Sequence, residues 1–192
     1  PRVGPQGPPR FGRDDGRGVA RGDGGRAAGG GGGLARVGAE AFSPAEWHVV
    51  MTLGRDSDPA LLGSLPAHVE AHPWLPHPAV LPHADVFVCH AGMGSIMESL
   101  FYGTPVVALP RAHELALSAQ RLEERGVGRA LSRAGLTAGR LAGTVEELLA
   151  DPGAPAALAS MREAVRTAGG AARAADLLQT WAARVPATPA RG

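Results

Sequence analysis

Residues 85–98, DVFVCHAGMGSIME, constrain this chain more than any other stretch. Val86, Phe87 and Val88 form a short β-prone apolar run, small residues take over after His90, and a helical pattern follows. A strand, a glycine turn and a helix start in that order commit the chain to an α/β unit. Gly92 and Gly94 let the backbone approach a ligand with no Cβ in the way, and the helix aims its unpaired N–H groups and positive dipole end at the same spot. The ligand that suits such a place is an anion, and phosphate above all.

The rest of the chain supplies a sheet for that unit. Residues 47–53, WHVVMTL, read as a strand closed by Gly54, residues 69–71 as a second short strand, and residues 105–109, PVVAL, as a run from the middle of a parallel sheet. Helical patterns cover residues 95–102, 114–125, 138–150, 155–168 and 171–183. Strand and helix alternate from residue 47 to about residue 131, and the remainder is helical. The pattern predicts one open α/β domain over residues 34–185, mainly parallel with helices on both faces, in which ligands bind beyond the carboxyl ends of the strands. Residues 186–192 are expected to be a disordered tail.

The first 33 residues differ in kind. They are glycine, arginine and proline with scattered aspartate, too poor in apolar surface to offset the entropy of ordering, so residues 1–33 are expected to be a disordered arm. A shifted reading frame in GC-rich DNA produces the same composition. So does an arginine-glycine arm that binds RNA, for which Arg10, Arg13, Arg17, Arg21 and Arg26 would meet phosphates, but Asp14, Asp15 and Asp23 dilute that charge.

The net charge of +1 over 192 residues gives no reason to expect nucleic acid or an acidic membrane as partner. A single cysteine, Cys89, excludes an internal disulfide and suits a reducing compartment, and it reads as a buried apolar filler on the strand face opposite its neighbours. With no apolar run long enough to span a bilayer and no signal-peptide core at the start, a soluble cytoplasmic protein is expected.

Several spaced elements occur together: WLPH at residues 74–77, HAGMGS at 90–95, Glu98, PVVALPRAHE at 105–114, and GGAARAADLL in the helical tail. In this combination and order the chain resembles the C-terminal half of a UDP-glycosyltransferase, in the bacterial macrolide and antibiotic branch of the two-domain GT-B fold. The resemblance covers residues 47–181 and implies a Rossmann-like, nucleotide-sugar-binding domain. It implies that Trp74 stacks on uracil with the Leu75 backbone beside the base, where a core tryptophan is the plainer account of Trp74 taken alone. His77 stands where the family usually carries glutamine. His90 would meet the diphosphate.

Ser95 and Glu98 carry two competing accounts. S-x-x-E at a helix start is a capping box, with each side chain satisfying a backbone N–H of the first turn. The resemblance instead assigns Ser95 and the N–H groups of Met93, Gly94 and Ser95 to the phosphates, and Glu98 to the ribose hydroxyls. At the sugar end the family shows an acid followed by glutamine; here the pair is Glu114 and Leu115, and only Glu114 can accept from a sugar hydroxyl. His68, His72, His77 and His83 match no compact metal-ligand spacing, and the resemblance implies a UDP-sugar donor with no metal and no other cofactor.

A complete member of that family is about twice as long, and its N-terminal domain binds a small hydrophobic acceptor and supplies the catalytic base. Nothing before Trp47 resembles that domain, and the first strand of the C-terminal domain is expected to be lost. No catalytic residue is therefore assigned. The chain is expected to bind donor without transferring sugar, as half of an inverting enzyme, a stand-alone nucleotide-sugar module, or a non-functional remnant.

Overall fold

The computed structural model describes residues 17–22 and 31–184. Within them lie the strands β1 (Arg17–Gly22), β2 (Trp47–Thr52), β3 (Val69–His72), β4 (Val86–Cys89), β5 (Val106–Ala108) and β6 (Gly128–Ala130). All pair in parallel, in the order β3-β2-β1-β4-β5-β6. The sheet winds outward in both directions from its middle, and the reversal between β1 and β4 opens a crevice at their carboxyl ends. The helices are α1 (Gly31–Glu40), α2 (His77–Val80), α3 (Met93–Tyr102), α4 (His113–Glu124), α5 (Ala138–Ala150), α6 (Ala154–Thr167) and α7 (Gly170–Ala182).

Period-two alternation in the strands divides the core into two layers. Val86 and Val88 of β4 pack with Leu34 and Ala35 of α1 and with Leu141, Val145 and Leu148 of α5. Phe87 and Cys89 point the other way, into a cluster with Ile96 and Leu100 of α3, Leu122 of α4 and Leu158 of α6. Both faces are covered, as predicted, and burial on both faces is why β4 and β5 read as continuous apolar runs. The buried position of Cys89 fits its reading as a filler. α5 begins where Thr137 accepts from the Arg140 N–H at 3.2 Å, and it buries Leu141, Val145 and Leu148 at helical spacing.

Two sequence expectations are corrected here. Part of the arm expected to be disordered is β1, which lies between β2 and β4, and α1 starts at Gly31. A strand flanked on both sides has its backbone groups paired by its neighbours, and that tertiary pairing overrides the weak local propensity of RGVARG. The first strand is present, so β2 has no unpaired edge; the sheet edges are β3 and β6. The other residues of the arm, and residues 185–192, lie outside the described residues.

β6 was not predicted as a strand. A Cβ built on Gly128 would lie 2.5 Å from the Val106 carbonyl oxygen, so the close approach of β5 requires glycine at a position where sequence gives no strand signal. α7 has no buried residue, and its Leu177, Leu178 and Trp181 are exposed. Among the described residues no helix is long and apolar enough to cross a membrane.

Candidate functional site

One wall of the site is built by the segment that leaves β3. The Leu53 N–H donates to the His72 carbonyl at 2.9 Å and the Gly54 N–H to the Pro73 carbonyl at 3.0 Å, so pairing runs past the strand ends and fixes where Trp74 begins. Trp74 is 49% exposed, and the Arg55 guanidinium lies 4.3 Å from its ring centroid. A core tryptophan would be buried, whereas this ring is half exposed, with Arg55 over it. Arg55, 19 residues away, had no motif to mark it.

The other wall is the start of α3. Ala91, which is fully buried, turns the chain out of β4 with φ 68°, a left-handed conformation that costs a non-glycine residue about 1 kcal/mol. α3 then starts at Met93 with Gly92 as N-cap and no side-chain cap. The first helical bond joins the Ile96 N–H to the Gly92 carbonyl at 3.0 Å, so the N–H groups of Met93, Gly94 and Ser95 precede the intrahelical ladder. This overturns the capping-box account: Ser95 lies inside the first turn rather than at its cap, and Glu98 is engaged elsewhere.

The two glycines serve different ends. Gly92 has an ordinary φ of −66°, but a Cβ there would come within 2.7 Å of His90 Nε2. Gly94 sits in the helix with nothing within 4 Å of a built Cβ, and it borders the cleft. Neither uses the conformational freedom of glycine; Ala91 holds the position that would.

Glu98 closes the site. His77 Nδ1–H donates to Glu98 Oε2 at 2.6 Å, joining α2 to α3, while the His77 ring sets its edge against Phe87 at 5.2 Å. A second tie lies behind it. Buried Ser99 donates to the Thr104 carbonyl at 2.7 Å, and buried Thr104 Oγ1 donates to the Leu81 carbonyl at 2.9 Å, just past the end of α2. Neither tie was foreseen, because their partners are 5 to 23 residues apart and follow no motif spacing.

Between the walls is a cleft of about 360 Å³, lined by Trp74, Leu75, His77, Gly94, Ser95 and Glu98 together with Pro76 and Pro78. Six of the ten residues singled out in the sequence thus meet around one space of the size small-molecule sites have. His90 lies directly after β4 and against Gly92, and Met93 is exposed at the first position of α3. Glu114 is exposed in the first turn of α4 and is not among the cleft residues, while Leu115 is partly buried against the second core cluster. Three other histidines are occupied locally: His68 donates to the Phe42 carbonyl at 3.0 Å, and His48 and His72 share Glu70 at 2.9 and 3.1 Å. Among the described residues no cluster of three or more histidine, cysteine or acidic side chains could hold a metal ion.

Comparison with known proteins points the same way. The family model for the erythromycin biosynthesis protein CIII-like C-terminal domain matches residues 40–176. Oleandomycin glycosyltransferase of Streptomyces antibioticus is 41% identical over 133 residues, which are 69% of this chain and 31% of that protein. Demethyllactenocin mycarosyltransferase of Streptomyces fradiae is 34% identical over 166 residues, 86% of this chain and 36% of that protein. The crystal structure of CalG4, the calicheamicin glycosyltransferase, superposes with a TM-score of 0.82 at 36% identity, covering 93% of this chain and 46% of that one. The chain spans about a third of the length of these two curated relatives.

Proposed function

The chain belongs to the family of the erythromycin biosynthesis protein CIII-like C-terminal domain, and from that premise we propose that it is the nucleotide-sugar-binding half of an inverting glycosyltransferase. The observation that supports this best is the start of α3, without a side-chain cap, sharing one cleft with the exposed ring of Trp74. A pyrimidine base stacks on Trp74 with the Leu75 backbone beside it, the ribose meets Glu98, and the diphosphate meets the N–H groups of Met93, Gly94 and Ser95 with His90 beneath. Helix-terminus amides and a histidine suit a diphosphate because both donate hydrogen bonds to oxygen, and the dipole offsets part of the charge without a divalent ion. Glu114 is the group for a sugar hydroxyl, reached along the α4 start.

The donor is a UDP-sugar and the acceptor a hydroxyl of a hydrophobic natural product such as a macrolide, handled in the cytoplasm with neither membrane nor nucleic acid as partner. Transfer requires a general base beside the acceptor and a wall that positions it opposite the leaving nucleotide. His90 lies on the diphosphate side, so it cannot serve an attack from the other face of the sugar. The base and the acceptor wall therefore come from a second domain or chain, and the chain alone binds donor without turnover.

Calorimetric titration with UDP tests the reading. Trp74→Ala is expected to weaken binding by about 1–3 kcal/mol, the worth of one base–aromatic stack, and Glu98→Gln to weaken it while preserving size. UDP affinity unchanged by both substitutions, in variants with intact circular dichroism, refutes the site.

A further inference from the structure

We infer that Arg55 is a positioning residue for the nucleotide base: it holds one face of the Trp74 indole so that the other face is presented to the cleft. The inference rests on the nucleotide reading above. The Arg55 guanidinium lies over the ring, 4.3 Å from its centroid, and Trp74 lines the cleft while Arg55 does not. A guanidinium over the cleft-side face would itself stand in the cleft, so Arg55 takes the outer face of the indole and leaves the inner one to a base. Base, indole and guanidinium then form three layers.

The backbone fixes Arg55 in that place. After β2 the chain turns at Gly54, with φ 111°, and the Gly54 N–H donates to the Pro73 carbonyl at 3.0 Å, which sets the next residue of each segment, Arg55 and Trp74, side by side. Arg55 and Asp56 are the central residues of a turn closed twice, by the Ser57 N–H to the Gly54 carbonyl at 3.0 Å and by Ser57 Oγ to the Leu53 carbonyl at 3.0 Å. Among the described residues no carboxylate pairs with Arg55, so the ring is the group that orders its side chain. The contact works in both directions, since a cation on one face restrains a tryptophan that is otherwise half exposed. A platform ordered before the ligand arrives loses less freedom when the base stacks on it.

Calorimetry of the full chain with UDP reads the effect on binding. Arg55→Ala is expected to weaken UDP about two- to five-fold, the worth of one exposed cation–π contact. Acrylamide quenching of fluorescence reads the layering, in a Trp181→Phe chain whose remaining tryptophans are buried Trp47 and half-exposed Trp74. Saturating UDP is expected to lower the quenching while Arg55 is in place, because the base covers the face that Arg55 leaves open. Adding Arg55→Ala is expected to raise the quenching of the ligand-free chain. Quenching unmoved by bound UDP means that the base has replaced Arg55 on the same face, which overturns the inference without any substitution at Arg55 and leaves the nucleotide site standing. UDP affinity unchanged or improved by Arg55→Ala overturns it in the same way. A chain that binds no UDP overturns the nucleotide site and the inference with it.

Discussion

Alanine at Gly92 and alanine at Gly94 are expected to move stability in opposite directions and affinity in the same direction. At Gly94, inside the first turn of α3, a built Cβ meets nothing within 4 Å. Replacing a helical glycine by alanine removes chain entropy from the unfolded state and gains about 0.5–1 kcal/mol. For a chain of this size that raises the melting temperature by about 1–4 °C. The added methyl projects into the cleft that Gly94 borders, where it displaces any group seated on the α3 amides. A clash of that kind costs about 1–3 kcal/mol, so UDP affinity is expected to fall roughly five-fold to a hundred-fold.

At Gly92 the built Cβ is 2.7 Å from His90 Nε2 and 3.3 Å from Cε1, so the imidazole must swing away. Overpacking at that point is expected to lower stability by about 1–3 kcal/mol and to weaken UDP binding by displacing His90. Thermal melts followed by circular dichroism, paired with calorimetric titration of UDP, read both quantities. A Gly94→Ala chain that is stabilised yet binds UDP unchanged would show that the start of α3 is not the phosphate site. A destabilised Gly94→Ala chain would show that the open space beside Gly94 is not there.

Two further outcomes follow from groups outside the cleft. Thr104→Val removes the hydrogen bond from Thr104 to the Leu81 carbonyl, but that carbonyl still accepts from the Ala84 N–H at 3.2 Å; the loss is therefore expected near the low end, about 1 kcal/mol of unfolding free energy by urea titration, whereas an orphaned carbonyl would cost up to about 3 kcal/mol. Asp151 has its carboxyl held below its ordinary value chiefly by the hydrogen bond from Arg129 and then by the Gly153 N–H. A depressed folded value means that its stabilisation is present above the ordinary carboxylate range and lost as pH falls through the folded value. Asp151→Asn is expected to lower the urea midpoint at pH 7 and to converge with the unmodified chain below about pH 4, and a difference independent of pH would refute the assignment.

What could be read from sequence divides along a physical line. β2, β4 and β5 are buried on both faces, and their apolar runs announced them within a residue or two. α5 was legible to the residue, because Thr137 caps it and Leu141, Val145 and Leu148 recur at helical spacing. β1 and β6 were invisible for the converse reason. RGVARG and GRA owe their strand state to backbone pairing with neighbours and, at Gly128, to a close approach that forbids a side chain. Local pattern records what side chains bury, and neither strand advertises itself that way.

The same line runs through the site. Trp74, Gly94, Ser95 and Glu98, which border the cleft, were singled out because they sit in two short motifs, yet the sequence placed the start of α3 at Ser95 and so left its polar pair open to a capping role. The start falls at Met93 because Ala91 takes the left-handed turn that the neighbouring glycines seemed made for. That shift of two residues moves Ser95 off the cap, leaves the first-turn amides without a side-chain cap, and places Glu98 beyond the first turn of α3, where it meets His77. A substitution from the family's usual glutamine to His77 looked like a weakened contact in the sequence. In the fold it becomes the donor to Glu98 that joins α2 to α3, and no spacing rule connects residues 77 and 98 until the sheet order has brought the ends of β3 and β4 to the same side.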